Sequence, residues 1–434
     1  MTDGEEEMHG QKASAARGET AYVIVAPAGA INPYTGGGQR TRLFFDACLR
    51  LGPTDLVVFG AGVDAKWIRE VYPGVRDVAT APTLSRNRSV RGFVRRNLRG
   101  LRTMAWPGVS YGIDPRMRAF LTDRAQAEPG TVFVMRYVQG YCLSGLQAGG
   151  PNGVAVCVDI DDRDDQKYLT YLRGVLGRMI ADRLFAPTSI RRLRALMRAR
   201  LRAASLVWFA AEEDVWNLAP ARTEIMPNVA MVPADSDAVA PAGTGRDILF
   251  VGTYAHTPNR RGVQWLLRHV WPRVSAACPD ARLRIVGIGA WRDLAPEVEG
   301  LERVDLVGRV EDLAVEYARA RLTVCPVFEG GGSKIKVIEA GAYARPAVLV
   351  PHSARGFAPE FTAALDLADT PEAFAEACIG YLNDPARADA AGATLRSLQR
   401  RIYSRDGLLE RIAESLTQVS HASGGARPRV DQTT

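Results

Sequence analysis

CPVFEGGGSKIKVIEAGAYARPAV, residues 325–348, is where the sequence says most about itself. The apolar run Leu322–Pro326 reads as a buried strand. It enters three glycines, Gly330, Gly331 and Gly332, and a helix is expected to begin near Ser333. Glycines let backbone N–H groups approach an anion closely, and a helix N-terminus adds partial positive charge. Ser333, Lys334 and Lys336 place further donors and positive charge at the same point. Cations there oppose the helix dipole, and a bound anion would offset that. Lys336 and Glu339 are three residues apart and share a helix face. A cation beside a diphosphate, with a carboxylate one turn deeper to accept hydrogen bonds from two ribose hydroxyls, suits a nucleotide. The residues alone also fit a plain strand–turn–helix with a surface Lys–Glu pair. The spacing is not that of a Walker A loop, GxxxxGK[ST].

Outward from this stretch, short apolar runs alternate with helical patterns in two series. The first has strands at Tyr22–Ala26, Asp55–Phe59, Thr131–Tyr137 and Val154–Ile160; the loop NPYTGGGQR and the helix TRLFFDACLRLG follow the first of them. The second has strands at Asp247–Val251, Arg282–Gly287, Val304–Val307, Leu322–Pro326 and Ala347–Val350. Strand and helix in alternation with short connections predict parallel sheets covered on both faces. The expected fold is therefore α/β, with two doubly wound domains at 21–235 and 246–395. Residues 231–246, MVPADSDAVAPAGTGR, read as the linker. A head at 1–20 and a tail at 420–434 read as disordered, and a final helix is expected at 396–417.

The length of 434 residues suits two domains rather than one. The net charge of +7 favours an anionic partner without choosing among nucleotide, membrane and nucleic acid. Six scattered cysteines with no CxxC pair argue against a zinc site or disulfide framework, and fit a reducing cytosol. The polar N-terminus has no signal-peptide pattern, and no run of eighteen apolar residues occurs.

The segment GGGSKIKVIEAGAYARPAV resembles the donor-binding signature of the group 1 glycosyltransferases (family 4), which have the GT-B fold: two Rossmann-like domains facing each other across a cleft. Gly330, Gly332, Ser333, Lys334, Lys336, Glu339, Ala340, Pro346 and Val348 match that signature. The resemblance implies that Glu339 contacts the donor ribose, and that Gly331, Gly332, Ser333, Lys334 and Lys336 contact the diphosphate or sugar. Members often carry two Glu separated by seven residues. Glu329 and Glu339 are separated by nine, so Glu329 does not fit. DILFVGTYAHTPNRRGVQWLL, residues 247–267, resembles the first strand and phosphate loop of the donor domain. Gly252 matches its glycine, and Arg261 with Gly262 stands where the family has Lys-Gly. Gly36, Gly37 and Gly38 resemble the first-domain loop that closes on the donor diphosphate, and Pro227-Asn228 the approach to the linker.

The resemblance implies transfer of a hexosyl group, with retention, from a UDP- or GDP-sugar to a lipid-linked or polysaccharide acceptor. Lys336 and Arg261 would carry leaving-group stabilisation. The nucleotide-sugar would be a substrate, with no cofactor and no metal. A nucleotide-sugar epimerase of the same fold and a non-catalytic nucleotide-sugar-binding protein remain alternatives. Asp159-Ile160-Asp161-Asp162 could hold a divalent cation under a diphosphate, but that use belongs to another transferase fold. Gly60-Ala61-Gly62 and Gly287-Ile288-Gly289 match the dinucleotide fingerprint only in part and read as packing turns. His256 and His352 could line the cleft. Two arginine-rich stretches, residues 86–102 and 190–204, suggest a cytosolic protein that touches the anionic inner face of a membrane. In the second, Leu193, Leu196, Met197 and Leu201 recur at helical spacing, which a surface helix packed on its own domain would equally show. Nucleic acid is not expected, because interleaved aromatics and a recognition fold are missing.

Overall fold

The computed structural model describes residues 20–33, 35–60, 64–82, 112–149, 154–230, 245–330 and 332–424. The head, most of the linker, Gly331, the stretch 86–102 and the end of the tail lie outside the described residues.

Seven strands form the first sheet: β1 Tyr22–Pro27, β2 Thr54–Phe59, β3 Val78–Ala81, β4 Val132–Arg136, β5 Ala155–Ile160, β6 Leu206–Phe209 and β7 Arg222–Ile225. Their order is β3-β2-β1-β4-β5-β6-β7, and every pairing is parallel. Six strands form the second sheet: β8 Asp247–Val251, β9 Arg282–Val286, β10 Val304–Gly308, β11 Ala320–Cys325, β12 Ala347–Leu349 and β13 Asp366–Leu367. Their order, β10-β9-β8-β11-β12-β13, repeats the first pattern, again all parallel. Strands such as VVF in β2 and AVCVDI in β5 are buried at every position, because helices cover both faces. Each sheet has a layer of apolar side chains on either side.

The repeated order fixes where ligands can go. In each sheet the direction of winding reverses between two neighbouring strands, β1 and β4 in the first and β8 and β11 in the second. The chain parts there at the carboxyl ends of the strands and leaves a crevice. The Thr35–Gly38 turn and Tyr137 stand over the first crevice. Gly252 and the loop through Gly330 and Gly332 stand over the second.

Four strands escaped the sequence reading wholly or as bounded elements: β3, β6, β7 and β13. All are short, and β7 and β13 lie at sheet edges where the apolar signal is weak. The C-terminal helices also differ from expectation. Residues 396–402 finish the helix Pro385–Ile402, which packs on the second domain beside the helix Ile335–Ala342. The crossing helix is Arg405–Gly424, running beyond the expected end at 417 and into the stretch expected as tail. It returns to the first domain, where Leu408, Leu409, Ile412, Leu416 and Val419 join the core around Phe44 and Trp208. Burial of each such side chain contributes about 1.5–3 kcal/mol. The bridge from Arg405 to Asp46 pins the start of this helix to the first domain.

Candidate active site between the two domains

On the second domain, β8 ends against Gly252. A Cβ at Gly252 would lie 2.8 Å from Asn259 Nδ2 and 2.9 Å from Lys336 Nζ, so only glycine fits. Asn259 Nδ2 donates to the Thr253 carbonyl at 3.1 Å, and its Oδ1 accepts from Lys336 Nζ at 2.8 Å. The Lys336 ammonium also sits 4.1 Å from the centre of the Phe250 ring. Neutral neighbours therefore hold a half-buried cation, and desolvation brings its pKa down to about 8. One turn on, Glu339 is buried and accepts from the Tyr317 hydroxyl at 2.8 Å. Burial raises its pKa to about 7, against the opposing pull of Tyr317 and Lys336.

The helix begins at Ile335, two residues later than expected, with Lys334 at the N-cap position and no side chain capping its amides. Its first N–H groups are thus open to an anion. Gly330 and Gly332 adopt φ of +100° and +65°, a region that suits glycine. His352 Nε2 lies 2.9 Å from the Gly330 carbonyl, and Lys334 Nζ donates to the Gly332 carbonyl at 3.0 Å. His256, before the helix Thr257–Trp265, is held neutral: burial, then Lys336 and Lys334, lower its pKa to about 4.

Arg261 does not join this buried set. Its guanidinium is solvent-exposed and bonds Glu329 Oε1 at 2.7 Å. Glu329, misplaced for the family spacing, is the partner of Arg261 at the rim. Gly262 packs its backbone on the Pro326 carbonyl. Gly287 is a packing turn, since a Cβ there would sit 2.0 Å from the Gly252 carbonyl.

On the first domain, Gly36–Gly38 form the first turn of the helix Gly36–Leu51 rather than the expected loop. Thr35 Oγ1 caps it by accepting from the Gly38 N–H at 3.2 Å. A Cβ at Gly37 would fall 2.7 Å from the Tyr137 hydroxyl, and one at Gly38 1.7 Å from the Asn32 carbonyl. A Cβ at Gly36 would touch Ile335 Cδ1 at 2.9 Å, so this turn meets the start of the second domain's site helix.

Around this turn lies a network the sequence reading missed. Arg40 bonds both oxygens of Asp159, at 2.6 and 2.9 Å, and Arg136 pairs with the same carboxylate. Arg136 also donates to the Gly37 carbonyl at 3.1 Å and to Thr41 Oγ1 at 2.9 Å. Arg40 Nη1 donates to Asn228 Oδ1 at 3.1 Å, and Asn228 Nδ2 donates across the cleft to Ser333 Oγ at 3.0 Å. Tyr137, at φ +70°, donates its hydroxyl to Asp161 Oδ2 at 3.1 Å. A non-glycine residue at positive φ marks strain of the kind that clusters at functional sites. Lys167 lies 3.8–3.9 Å from Asp161, Asp162 and Asp164, and Gly332 packs against the Asp161 carbonyl. Burial raises Asp162 to about 6, whereas Lys167, Arg136 and Arg40 outweigh burial at Asp161 and hold it low. Lysine and arginine thus face the acidic run Asp159–Asp162 on the cleft side. The signal in the sequence was a charge at the carboxyl end of each buried strand: Arg136 after VFVM and Asp159 after AVCV.

Below these residues the cleft is lined by Ala211, Glu213, Asp214, Gly330, Gly332, Arg355 and Gly356, with the Gly356 N–H donating to Glu213 at 3.0 Å. Two Rossmann-like domains thus close on a Lys–Glu pair and two glycine turns.

Residues 245–384 match the family described as glycosyl transferases group 1. The match lies within the second domain and covers 140 of the 434 residues, so that domain resembles the group 1 glycosyltransferases. The whole structure shares the GT-B fold with solved glycosyltransferases. Anabaena Alr3699/HepE, solved with UDP and glucose, aligns over 91% of this chain and 99% of its own, with 14% identity and a TM-score of 0.56. WaaG, a glycosyltransferase involved in lipopolysaccharide biosynthesis, aligns over 92% and 99%, with 12% identity and a TM-score of 0.57. A S. aureus TarM mutant, solved with fondaparinux, alpha-GlcNAc-glycerol and UDP, aligns over 92% and 99%, with 12% identity and a TM-score of 0.60. No curated protein matches the chain by sequence. In this chain Lys336, Glu339, Ser333, Lys334, Gly332, Gly252, Gly37 and Gly38 stand around the cleft between the domains, whereas Arg261 stands at its exposed edge.

Proposed function

We propose that this glycosyltransferase moves a hexosyl group, with retention, from a UDP- or GDP-sugar to a hydroxyl of a lipid-linked or polysaccharide acceptor. The observation that carries the donor side is Lys336: a half-buried ammonium held by neutral groups, one turn from a buried carboxylate, at an uncapped helix start. That arrangement suits a diphosphate at Lys336 with the ribose hydroxyls on Glu339. The Gly36–Gly38 turn would close on the diphosphate from the other side. As the C1–O bond to the diphosphate breaks and the acceptor oxygen bonds to C1, negative charge grows on the leaving group. Lys336 and the amides at the start of the Ile335–Ala342 helix are placed to stabilise it. The acceptor's proton leaves with the nucleoside diphosphate product. Neighbours of the same fold solved with UDP, UDP-glucose or a saccharide support this reading.

Among the described residues no helix is long and apolar enough to cross a membrane. We place the enzyme in the cytosol, reaching the anionic inner membrane face through the arginine-rich helix Arg191–Leu201. The test is incubation with labelled UDP- and GDP-hexoses and a membrane extract. Label is expected in a lipid or polysaccharide fraction, with the nucleoside diphosphate released in equal amount. Nucleotide release without a labelled product, or no turnover of any donor, would contradict the proposal.

A further inference from the structure

The helix Asp164–Leu176 and the helical run from Arg178 to Leu201, which includes a widened π-helical stretch at Ala181–Ile190 around Pro187, form a hairpin on the first domain. The hairpin has its own small apolar cluster of Tyr168, Leu172, Ala181 and Ile190. Met197 and Leu201 tie it down by burial, while Leu196 faces outward. Of the eleven large hydrophobic residues exposed among the described residues, five lie here: Tyr171, Met179 at 66%, Ile180, Leu184 at 62%, and Leu196. The other six are scattered along the chain. Residues 171–202 also hold nine arginines and one acid, Asp182. With Asp164, Asp165 and Lys167 included, the hairpin 164–201 still carries nine basic and three acidic residues, a net +6 against the +7 of the entire chain, so most of the excess positive charge sits on it. Arg173 faces Asp182 and Arg194 faces Asp165, both at 2.8 Å. Arg183 and Arg191 stand exposed beside Leu184 and Pro187.

From this concentration of charge and uncovered aliphatic side chains we infer that the hairpin tip, Met179 to Leu184, inserts into the interface of an anionic bilayer, with Arg183 and Arg191 on lipid phosphates. Phosphates of a nucleic acid would take the arginines but offer nothing to Met179, Ile180 and Leu184. A second copy of the chain would bring two strongly basic surfaces together. An anionic bilayer matches both features, with charge at headgroup depth and aliphatic side chains just beneath. The first helix of the hairpin begins beside Asp161 and Asp162 at the cleft, and its thirteen residues span about 20 Å. The inserted tip would hold the cleft about one helix length from the membrane, within reach of a saccharide carried on a lipid. This inference deepens the proposed membrane contact and rests on that reading, to which it adds the residues that enter the bilayer.

The test is co-sedimentation of the full chain with vesicles of phosphatidylcholine, with and without phosphatidylglycerol. The variants are the double substitution Met179→Asp with Leu184→Asp and, as control, Val315→Asp, which alters an exposed hydrophobic residue in the other domain. The expected result is binding to anionic vesicles only, weakened by salt, reduced roughly tenfold or more by the tip variant and unchanged by the control. UDP thermal shifts should be equal in all three proteins, which separates failure of this surface from failure of the donor site. Absence of vesicle binding would overturn the inference, as would binding the tip variant leaves intact. Loss of self-association in the tip variant instead would identify a dimer surface and equally overturn it.

Discussion

The two rims of the cleft occupy the same place in two sheets of the same strand order, yet they are built in opposite ways. On the second domain the rim is a sparse set: one half-buried lysine, one buried carboxylate, glycines and an uncapped helix start. On the first domain it is a crowded one, in which Arg40, Arg136 and Lys167 are matched by Asp159, Asp161, Asp162 and Asp164. A charge whose neighbours are neutral can serve an incoming ion. A buried charge already paired holds its neighbours in place. The first rim should therefore govern stability and positioning, and the second should govern chemistry.

The largest effect should follow from Asp159→Ala. It leaves Arg40 and Arg136 buried without their shared carboxylate, a loss of about 3–5 kcal/mol. Calorimetry should show the unfolding temperature falling by roughly 10 °C. An unchanged transition would break the contrast, for Asp159 would then hold nothing. Next is Lys336→Met, which keeps the bulk and removes the charge. It should lower kcat about 10²–10³-fold while the unfolding temperature holds or rises, since a desolvated cation has gone. A large loss of stability with little change in kcat would reverse the roles of the two rims.

The pH dependence sharpens the same point. Glu339, raised by burial to about 7, gains its charge as pH rises through that value; Lys336, lowered by burial to about 8, loses its charge above that value. Nucleoside diphosphate affinity should be greatest between about pH 7 and pH 8, falling up to about tenfold per unit on either side. For the unliganded protein the signs are opposite. Glu339 has a folded pKa above its ordinary 4.5, so its contribution is complete below that value and is lost as pH rises towards 7. Lys336 has a folded pKa below its ordinary 10.5, so its penalty is present below 8 and vanishes as pH rises towards 10.5. Affinity measured by calorimetry across pH 5–10 checks the first statement. The smallest effect should come from Asn228→Ala, which cuts the bond from Asn228 to Ser333 between the rims. A loss of about 1 kcal/mol, or roughly fivefold in kcat/KM for the donor, is expected in steady-state kinetics.

The contrast also explains what the sequence disclosed. Lys336 and Glu339 share a helix with the glycines that precede it, so one contiguous stretch shows strand, turn and site together. Asp159 and Arg40 are 119 residues apart, and Asn228 lies a further 69 residues on. Only the parallel pairing of β1, β4 and β5 brings their ends together, and no local spacing encodes that. The apolar runs of β1, β8 and β11 were plain because both faces of those strands are buried. β7, with the burial of an edge strand, was not. The glycines at 36–38 read as a loop because helix propensity disfavours them. Thr35 and the close approach of Tyr137 and Asn32 override that propensity. Arg261 was chosen by analogy of position, and the pairing with Glu329 that draws it to the rim depends on a contact 68 residues away.

The central claim is that the Lys336–Glu339 pair at the start of the second domain's helix holds a nucleoside diphosphate. Isothermal titration of UDP, GDP and ADP into the full chain and into Glu339→Gln tests it most directly. Selective binding of one nucleotide, weakened at least tenfold in the variant while the variant's unfolding temperature is retained, is the predicted result. No binding of any nucleotide to the unmodified chain, or equal binding by the variant, would contradict it.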